Sequence, residues 1–88
     1  MNPWRVEFTR QAAKDARRVA DAGLKPRVER LLSILRDDPF QSPPLFEKLI
    51  GDMAGAYSRR ITIQHRLVYE VDVEERLVRV IRMWTHYE

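Results

Sequence analysis

The chain has 88 residues, a net charge of +3 and a sequence pI of about 9.7. A chain of this length predicts one small domain, residues 1–88, and its 44% hydrophobic content excludes a disordered protein. Because the sequence has no cysteine, disulfides and thiolate metal sites are excluded. No apolar run approaches the roughly 20 residues that cross a membrane, and the N-terminal segment lacks the apolar core of a signal peptide. We therefore expect a cytoplasmic protein.

The N-terminal part of the chain predicts a strand followed by a helix. Apolar and polar residues alternate from Trp4 to Phe8, as in a half-buried strand. Thr9 is a suitable N-cap for a helix over residues 11–22, and Gly23 is a suitable residue to end it. The small apolar residues of this helix recur at helical spacing and are Ala12, Ala13, Ala16, Val19 and Ala20.

A second helix is predicted to begin near Pro26, since proline is favoured in the first turn of a helix. Residues 37–39, Asp-Asp-Pro, end it. Its apolar residues follow the i, i+3, i+4, i+7 spacing of a buried stripe, and they are Val28, Leu31, Leu32 and Leu35. The two helices are therefore expected to form an antiparallel hairpin.

The C-terminal half of the chain predicts mainly strands. Residues 45–50 form a short strand or a turn, and strands over residues 57–63 and 66–72 form a hairpin through residues 64–65. A last strand covers residues 77–87. The order β-α-α-(β)-β-β-β predicts an α+β fold, with two N-terminal helices packed on one face of a mainly antiparallel sheet of four to five strands.

Alternation along these strands sorts their side chains between the two faces of the sheet. The residues predicted to lie beneath the helices are Tyr57, Ile61, Ile63, Leu67, Tyr69, Val71, Ile81 and Met83. The uncovered face is then predicted to carry Arg60, Arg66, Arg82, Trp84 and His86. Two observations disagree with this assignment, because Arg59 falls on the apolar face while Val78 and Val80 fall on the polar one. Curvature of the sheet or a β-bulge would explain them.

The candidate chemistry begins with His86 and Tyr87, which place a titratable imidazole and a phenol near the end of the last predicted strand. The predicted hairpin supplies guanidinium groups at Arg60 and Arg66, and Glu47 supplies a carboxylate upstream. A carboxylate, several arginines and a histidine in a small basic protein indicate acid–base chemistry on a phosphodiester. Structural roles remain the alternative, with Glu47 in a surface ion pair and His86 in packing.

Three segments of the sequence, in their order and spacing, resemble the Txe/YoeB toxins of bacterial type II toxin–antitoxin modules, within the RelE-like superfamily. They are Ser58-Arg59-Arg60-Ile61, His65-Arg66-Leu67-Val68-Tyr69 and His86-Tyr87. The resemblance covers nearly the whole chain and implies a RelE-like, microbial RNase-like fold. It also implies a ribosome-dependent endonuclease that cuts mRNA in the ribosomal A site without a metal or another cofactor. The implied partners are mRNA, the ribosomal RNA of the A site, an antitoxin of the YefM/Axe type and a second copy in a homodimer.

The resemblance also implies roles for individual residues, carried over by position. Glu47 matches the family's general base, Arg66 its transition-state arginine and His86 its general acid. Tyr87 and Arg60 match further positions of the family's active site.

Additional side chains are predicted to contact RNA beside these catalytic positions, and they are Arg59, Arg60, Lys48, Arg82 and Trp84. The sequence departs from the family at Ile50, where the family often has a lysine. The nearest lysine is Lys48, and whether it replaces the family lysine stays open at this point.

Two other functions fit the same sequence. A non-catalytic module that binds RNA or the ribosome and blocks translation by occupancy would need the basic face, but neither Glu47 nor His86. An interaction domain that binds an acidic protein partner would need only the arginines.

Overall fold

A computed structural model of the protein describes residues 3–84. Its helices and strands follow one another in the predicted order, so the predicted α+β fold is confirmed. The elements are β1 (Arg5–Phe8), α1 (Arg10–Asp21), α2 (Lys25–Asp37), β2 (Phe46–Lys48), β3 (Ala56–Arg60), β4 (Arg66–Asp72) and β5 (Leu77–Arg82). A short 3-10 helix, Gly51–Met53, lies between β2 and β3. Neither α1 nor α2 has the length and apolar character that crossing a membrane would require.

The strands form one sheet in the order β1-β5-β4-β3-β2. β1 runs parallel to β5, and every other neighbouring pair is antiparallel. The segment that was predicted as either a strand or a turn contains β2, which forms one edge of the sheet and pairs with β3. This edge position places Glu47 at the rim of the sheet, opposite Ser58 of β3.

Both helices pack on the same face of the sheet. The predicted stripe of α2 is buried in full, and Ala12 and Val19 are buried on α1. These helix residues form one apolar cluster with Leu67, Tyr69, Val78 and Val80 of the sheet and with Ile61 and Met83, which directly follow β3 and β5. Removal of this apolar surface from water is the main favourable contribution to folding.

Each end of α1 lies one residue before the predicted one, and the predicted flanking residues Thr9 and Gly23 have their expected roles. The hydroxyl of Thr9 accepts a hydrogen bond from the backbone N–H of Ala12 at 3.1 Å, which caps the helix. The same hydroxyl donates to the carbonyl of Ile81 at 2.9 Å and so ties the start of α1 to β5. Gly23 follows the helix with a φ of 74°, a left-handed conformation that glycine adopts at little cost.

The turn between β3 and β4 is longer than predicted. β3 ends at Arg60, and Ile63 is 85% exposed, so its predicted place beneath the helices was wrong. The hydroxyl of Thr62 accepts hydrogen bonds from the backbone N–H groups of Gln64 and His65, each at 3.1 Å. Such bonds between a side chain and the nearby backbone compete with strand pairing, and here they end the ladder early.

A register shift between β4 and β5 accounts for part of the disagreement in the predicted faces. Tyr69 of β4 lies opposite Val80 of β5. The next pair along β4 joins Val68 to Arg82, so Ile81 is an extra residue on β5. Of the two explanations that the sequence allowed, curvature and a β-bulge, the β-bulge is therefore present.

The face prediction for β5 was wrong for Val78 and Val80, which precede the bulge, and right for Met83, which follows it. Val78 and Val80 belong to the core beneath the helices, whereas Ile81 is only half-buried. Arg82 lies opposite Val68, which is the face predicted for it, but its guanidinium contacts Asp15 of α1. β5 ends at Arg82, and residues 85–87 of the predicted strand lie outside the described residues.

Candidate active site

Glu47 and Arg66 meet on the sheet face that is opposite the helices. Glu47 lies on β2 and Arg66 on β4, with β3 between these two strands. Arg66 donates a hydrogen bond from Nη1 to Glu47 Oε1 at 3.4 Å. The side chain of Glu47 is 53% exposed and that of Arg66 is 17% exposed. The carboxylate is thus accessible to a ligand, while its guanidinium partner is largely sheltered.

The register of the sheet explains how two strands that are not neighbours bring these side chains together. Glu47 lies opposite Ser58, and Ser58 lies opposite Val68, which makes one row across β2, β3 and β4. Arg66 is two residues from Val68 along β4 and therefore shares its face. Neighbouring strands are about 4.8 Å apart, so the long side chains of Glu47 and Arg66 can span the strand that carries the small Ser58.

Arg60 completes a basic hollow around this contact. It lies directly opposite Arg66 in the pairing of β3 with β4, a position in which two like charges destabilise a sheet. A hollow of about 230 Å³ opens here and is lined by Pro44, Leu45, Glu47, Arg60 and Arg66. Two guanidinium groups beside a carboxylate fit a phosphodiester, since arginines bind phosphate oxygens and a carboxylate can accept a proton. Within residues 3–84, no three His, Asp or Glu side chains form a group that could hold a metal ion.

Comparison with known proteins places the chain in a family. The family described as the YoeB-like toxin of bacterial type II toxin–antitoxin systems matches residues 8–87. The chain belongs to the YoeB family. The toxin YoeB of Streptomyces coelicolor is 35% identical over 85 residues, a match that covers 94% of this chain and 99% of the relative. The resemblance of the sequence to type II toxins is therefore confirmed.

Solved structures agree with this assignment to the YoeB family. A YoeB/ParE toxin from Agrobacterium tumefaciens is 33% identical, with a TM-score of 0.84 over 94% of this chain and 99% of that one. A YoeB–YefM complex from Staphylococcus aureus contains a chain that is 31% identical, with a TM-score of 0.77 over 96% of this chain and 98% of that one. The predicted RelE-like fold is thus the fold of this YoeB-family toxin.

Arg59 has a different place from the one predicted for an RNA contact. It is 0% exposed, and its Nε donates to the hydroxyl of Tyr69 at 3.1 Å. Its remaining donors reach three backbone carbonyls, those of Pro39 at 2.9 Å, Gln41 at 2.8 Å and Pro44 at 2.6 Å. Burial raises the pKa of Tyr69 and the nearby Arg59 opposes that shift, so the phenol stays protonated beside the guanidinium. Arg59 therefore holds the loop before β2 in place and is not available to RNA.

Lys48 and Trp84 do not line the hollow. Lys48 follows Glu47 on β2, and alternation along the strand directs it to the opposite face. The ring of Trp84 stacks on the ring of His65, with 3.9 Å between centroids and an interplanar angle of 21°. The RNA contacts expected of Lys48 and Trp84 stay predictions that this geometry does not support.

His86 and Tyr87 lie outside the described residues. The general acid and its neighbour therefore stay predictions from the sequence, as do the catalytic roles of Glu47 and Arg66. The structure brings together Glu47 and Arg66, the predicted base and transition-state arginine, and the described chain ends at Trp84, two residues before His86.

Asp15 on α1 is a buried charged residue that the sequence reasoning missed. It is 1% exposed, and its Oδ2 accepts hydrogen bonds from Arg82 Nε and from the backbone N–H of Met83, each at 2.9 Å. The backbone N–H of Trp84 lies 3.3 Å from the same oxygen. Gln11 donates to Oδ1 at 3.0 Å. The YoeB-family toxin thus anchors the end of β5 on its first helix.

The environment of Asp15 makes stability depend on pH. Burial by itself would raise the pKa of this carboxyl, but the hydrogen bonds from Arg82 and from the N–H of Met83 outweigh it and hold the pKa below its ordinary value of 3.8. A carboxyl whose pKa is lower in the folded state stabilises the fold above the unfolded-state pKa. This contribution is lost as the pH falls through the folded-state value.

We expect the variant Asp15→Asn to have a lower free energy of unfolding than the wild type at neutral pH, and the difference to shrink as the pH falls below about 4. Urea titrations at several pH values between neutral and about 3 measure this difference. Asp21→Asn removes an exposed carboxylate from the same helix and serves as the control, with little change at any pH. A difference for Asp15→Asn that grows on acidification would contradict the expectation.

Proposed function

We propose that this YoeB-family toxin is a ribosome-dependent endoribonuclease that cleaves mRNA in the ribosomal A site and so inhibits translation. The observation that carries the proposal is the contact of Glu47 with Arg66 from non-adjacent strands, beside Arg60 in one hollow. An ion pair that served only the fold would gain nothing from a second arginine opposite the first. A phosphate-binding site, by contrast, binds its anion more strongly when a second cation is present.

RNA can be cut without a metal because its 2′-hydroxyl is an internal nucleophile. In the proposed reaction, Glu47 takes the proton of the 2′-hydroxyl, and the 2′-oxygen forms a bond to the adjacent phosphorus. The bond from phosphorus to the 5′-oxygen breaks, and that oxygen takes a proton from the imidazolium of His86. The products are a 2′,3′-cyclic phosphate and a free 5′-hydroxyl. Acid and base groups that are well placed contribute about 10²–10⁴-fold each.

The two arginines supply the positive charge in this proposal. Negative charge builds on the non-bridging oxygens as the 2′-oxygen attacks, and Arg66 is the guanidinium nearest to the proposed base. Its limited exposure strengthens this effect, because a sheltered charge is screened less by solvent than an exposed one. Arg60 is its neighbour on β3, lines the same hollow and would bind the same phosphate or the next one along the RNA.

In this proposal the ribosome supplies the in-line geometry of the RNA, which the toxin alone does not impose. The attacking oxygen, the phosphorus and the leaving oxygen must lie in line, and single-stranded RNA adopts this geometry only in part of its conformations. An mRNA held bent in the A site would remove that entropic cost. The protein would therefore act in the cytoplasm, where ribosomes are, and it would cleave free RNA weakly.

A cognate antitoxin of the YefM/Axe type is the proposed partner. The Staphylococcus aureus relative has been solved both with YefM and as a dimer, and we extend both assemblies to this protein. An acidic, partly disordered antitoxin segment would be attracted to the hollow with Arg60 and Arg66 and would exclude mRNA from it.

Mapping of new 5′ ends in a mixture of purified toxin, ribosomes and a defined mRNA tests the proposed function. We expect cleavage within the A-site codon only when ribosomes are present. Glu47→Gln keeps the size of the side chain but removes the base, and it should lower the rate about 10²-fold or more. Asp52→Asn changes an exposed carboxylate in the short helix after β2 and should cleave like the wild type.

Two results would overturn the proposed function. Cleavage by Glu47→Gln at the wild-type rate would remove the base from the mechanism. Arrest of translation without any new RNA ends would instead establish the alternative, a non-catalytic inhibitor that binds RNA or the ribosome.

A further inference from the structure

The backbone that leads to His86 is held by the first helix. The carboxylate of Asp15 receives the N–H groups of both Met83 and Trp84. Near the start of the same helix, Thr9 binds the carbonyl of Ile81 through its hydroxyl and the carbonyl of Val80 through its N–H. Contacts with Thr9 and Asp15 therefore determine the path by which the chain leaves β5.

A buried carboxylate is a costly way to hold a strand end. A charge that leaves water destabilises a protein unless hydrogen bonds and an opposite charge compensate for it. Asp15 is compensated by Arg82 at 2.9 Å, by two backbone N–H groups and by Gln11. An apolar residue at this position would extend the buried stripe of α1 without this cost, but it would leave the two N–H groups without their acceptor.

We infer that Asp15 is a positioning residue for the cleavage reaction, because it fixes the backbone of residues 82–84 from which the chain continues to His86. The inference rests on the proposed function. Trp84 is two residues before His86, so the hydrogen bond from its N–H to Asp15 limits the positions that the proposed general acid can reach. A displacement of about 1 Å at a reacting group can lower a rate about 10²-fold, which sets the size of the expected effect.

The first test compares kcat and KM for ribosome-dependent cleavage by Asp15→Asn, with Asp21→Asn as the control. Asparagine keeps the shape of the side chain but replaces one acceptor oxygen with an NH₂ group. We expect kcat to fall about 10–100-fold, KM for the programmed ribosome to change less than about threefold, and the control to match the wild type. Undiminished kcat in Asp15→Asn, or a change confined to KM, would overturn the inference.

The second test separates positioning from a general loss of folded protein, and it uses a double-mutant cycle with His86→Ala. If Asp15 acts through His86, the substitution Asp15→Asn should lower the rate of the His86→Ala variant less than about twofold. A merely structural role would lower both rates by the same factor, because it reduces the amount of active protein. Equal factors in the two backgrounds would overturn the inference.

Hydrogen exchange monitors the backbone contacts without any need for activity. The amides of Met83 and Trp84 should lose more protection in Asp15→Asn than amides in the centre of β4, whose protection falls only by the global loss of stability. Unchanged protection at Met83 and Trp84 would overturn the inference. Absence of mRNA cleavage by the wild type would instead refute the proposed function. The experiments therefore distinguish a failure of the positioning inference from a failure of the proposed function.

Gln11→Ala is the milder variant for the case in which Asp15→Asn fails to fold. It removes one hydrogen bond to Oδ1 and leaves the carboxylate in place. The loss of one hydrogen bond predicts a decrease in kcat of about two- to tenfold, again with no further decrease in the His86→Ala background. A decrease of the same size in both backgrounds would count against positioning.

Discussion

Replacement of Arg66 with alanine is expected to lower the rate of ribosome-dependent mRNA cleavage at least about 10²-fold while the protein remains folded. Arg66 is the guanidinium that contacts the proposed base, and its side chain is only 17% exposed. Alanine would leave the charge that develops on the phosphate without its nearest cation. Single-turnover cleavage with saturating programmed ribosomes measures this effect on the chemical step.

Two further variants sharpen the prediction for Arg66. Arg66→Lys keeps the charge but loses the fork of donors that matches two phosphate oxygens, so its rate should lie between those of alanine and the wild type. Arg79→Ala removes an exposed arginine that is 3.9 Å from Glu70 and lies outside the hollow, and it should cleave within about twofold of the wild type. Wild-type cleavage by Arg66→Ala would remove this arginine from the mechanism.

Replacement of Arg59 with methionine is expected to lower the free energy of unfolding by about 3–5 kcal/mol. The change removes the donors that reach the hydroxyl of Tyr69 and three carbonyls in the loop before β2. Buried acceptors that lose their partners are costly, and a domain of this size has a total stability of only about 5–15 kcal/mol. Urea denaturation followed by circular dichroism measures the loss.

Arg60→Met is the matched control for Arg59→Met, since the two arginines are neighbours on β3 and receive the same substitution. Arg60 is exposed, so its loss should change the free energy of unfolding by no more than about 0.5 kcal/mol. It should nonetheless weaken cleavage, because Arg60 lines the hollow. A stability loss for Arg60→Met that equals the loss for Arg59→Met would contradict the assignment of one arginine to the fold and the other to RNA.

Most of the fold could be predicted because its signals are local. The spacing of the apolar residues of α2, the hydroxyl of Thr9 and the position of Gly23 each act within a few residues, and all three have the predicted place. The length of the β3–β4 turn could not be predicted from alternation alone. There, the hydroxyl of Thr62 competes with the strand for backbone N–H groups.

The failures at β5 come from one residue. A strand pattern has a period of two, so alternation that correctly puts Met83 in the core gives the wrong face for Val78 and Val80 on the other side of the extra residue Ile81. Arg82 has the predicted face, opposite Val68, but its long side chain reaches Asp15 of α1, which alternation cannot indicate. Alternation correctly puts Arg59 on the apolar face, whereas the prediction that Arg59 contacts RNA requires an exposed side chain.

The candidate site could be predicted only from the order of the motifs along the chain and from their resemblance to the YoeB toxins. Nothing local in the sequence indicates that Glu47 and Arg66 approach within 3.4 Å, because that distance depends on the pairing of three strands. Asp15 had a local signal that went unused, since it lies three residues after Ala12 and four before Val19, on the buried stripe of α1. A charged residue at such a position indicates a specific partner inside the protein.

An mRNA with one 2′-deoxy nucleotide on the 5′ side of the mapped cleavage site tests most directly whether Glu47 acts on a 2′-hydroxyl. The modified message is programmed into ribosomes and treated with the wild-type toxin beside the matched all-ribose message. We predict that the all-ribose message is cut to a 2′,3′-cyclic phosphate and a 5′-hydroxyl, while the deoxy-substituted bond stays intact. Cleavage of both messages at the same rate would contradict the mechanism, because the proposed base would then have no proton to remove.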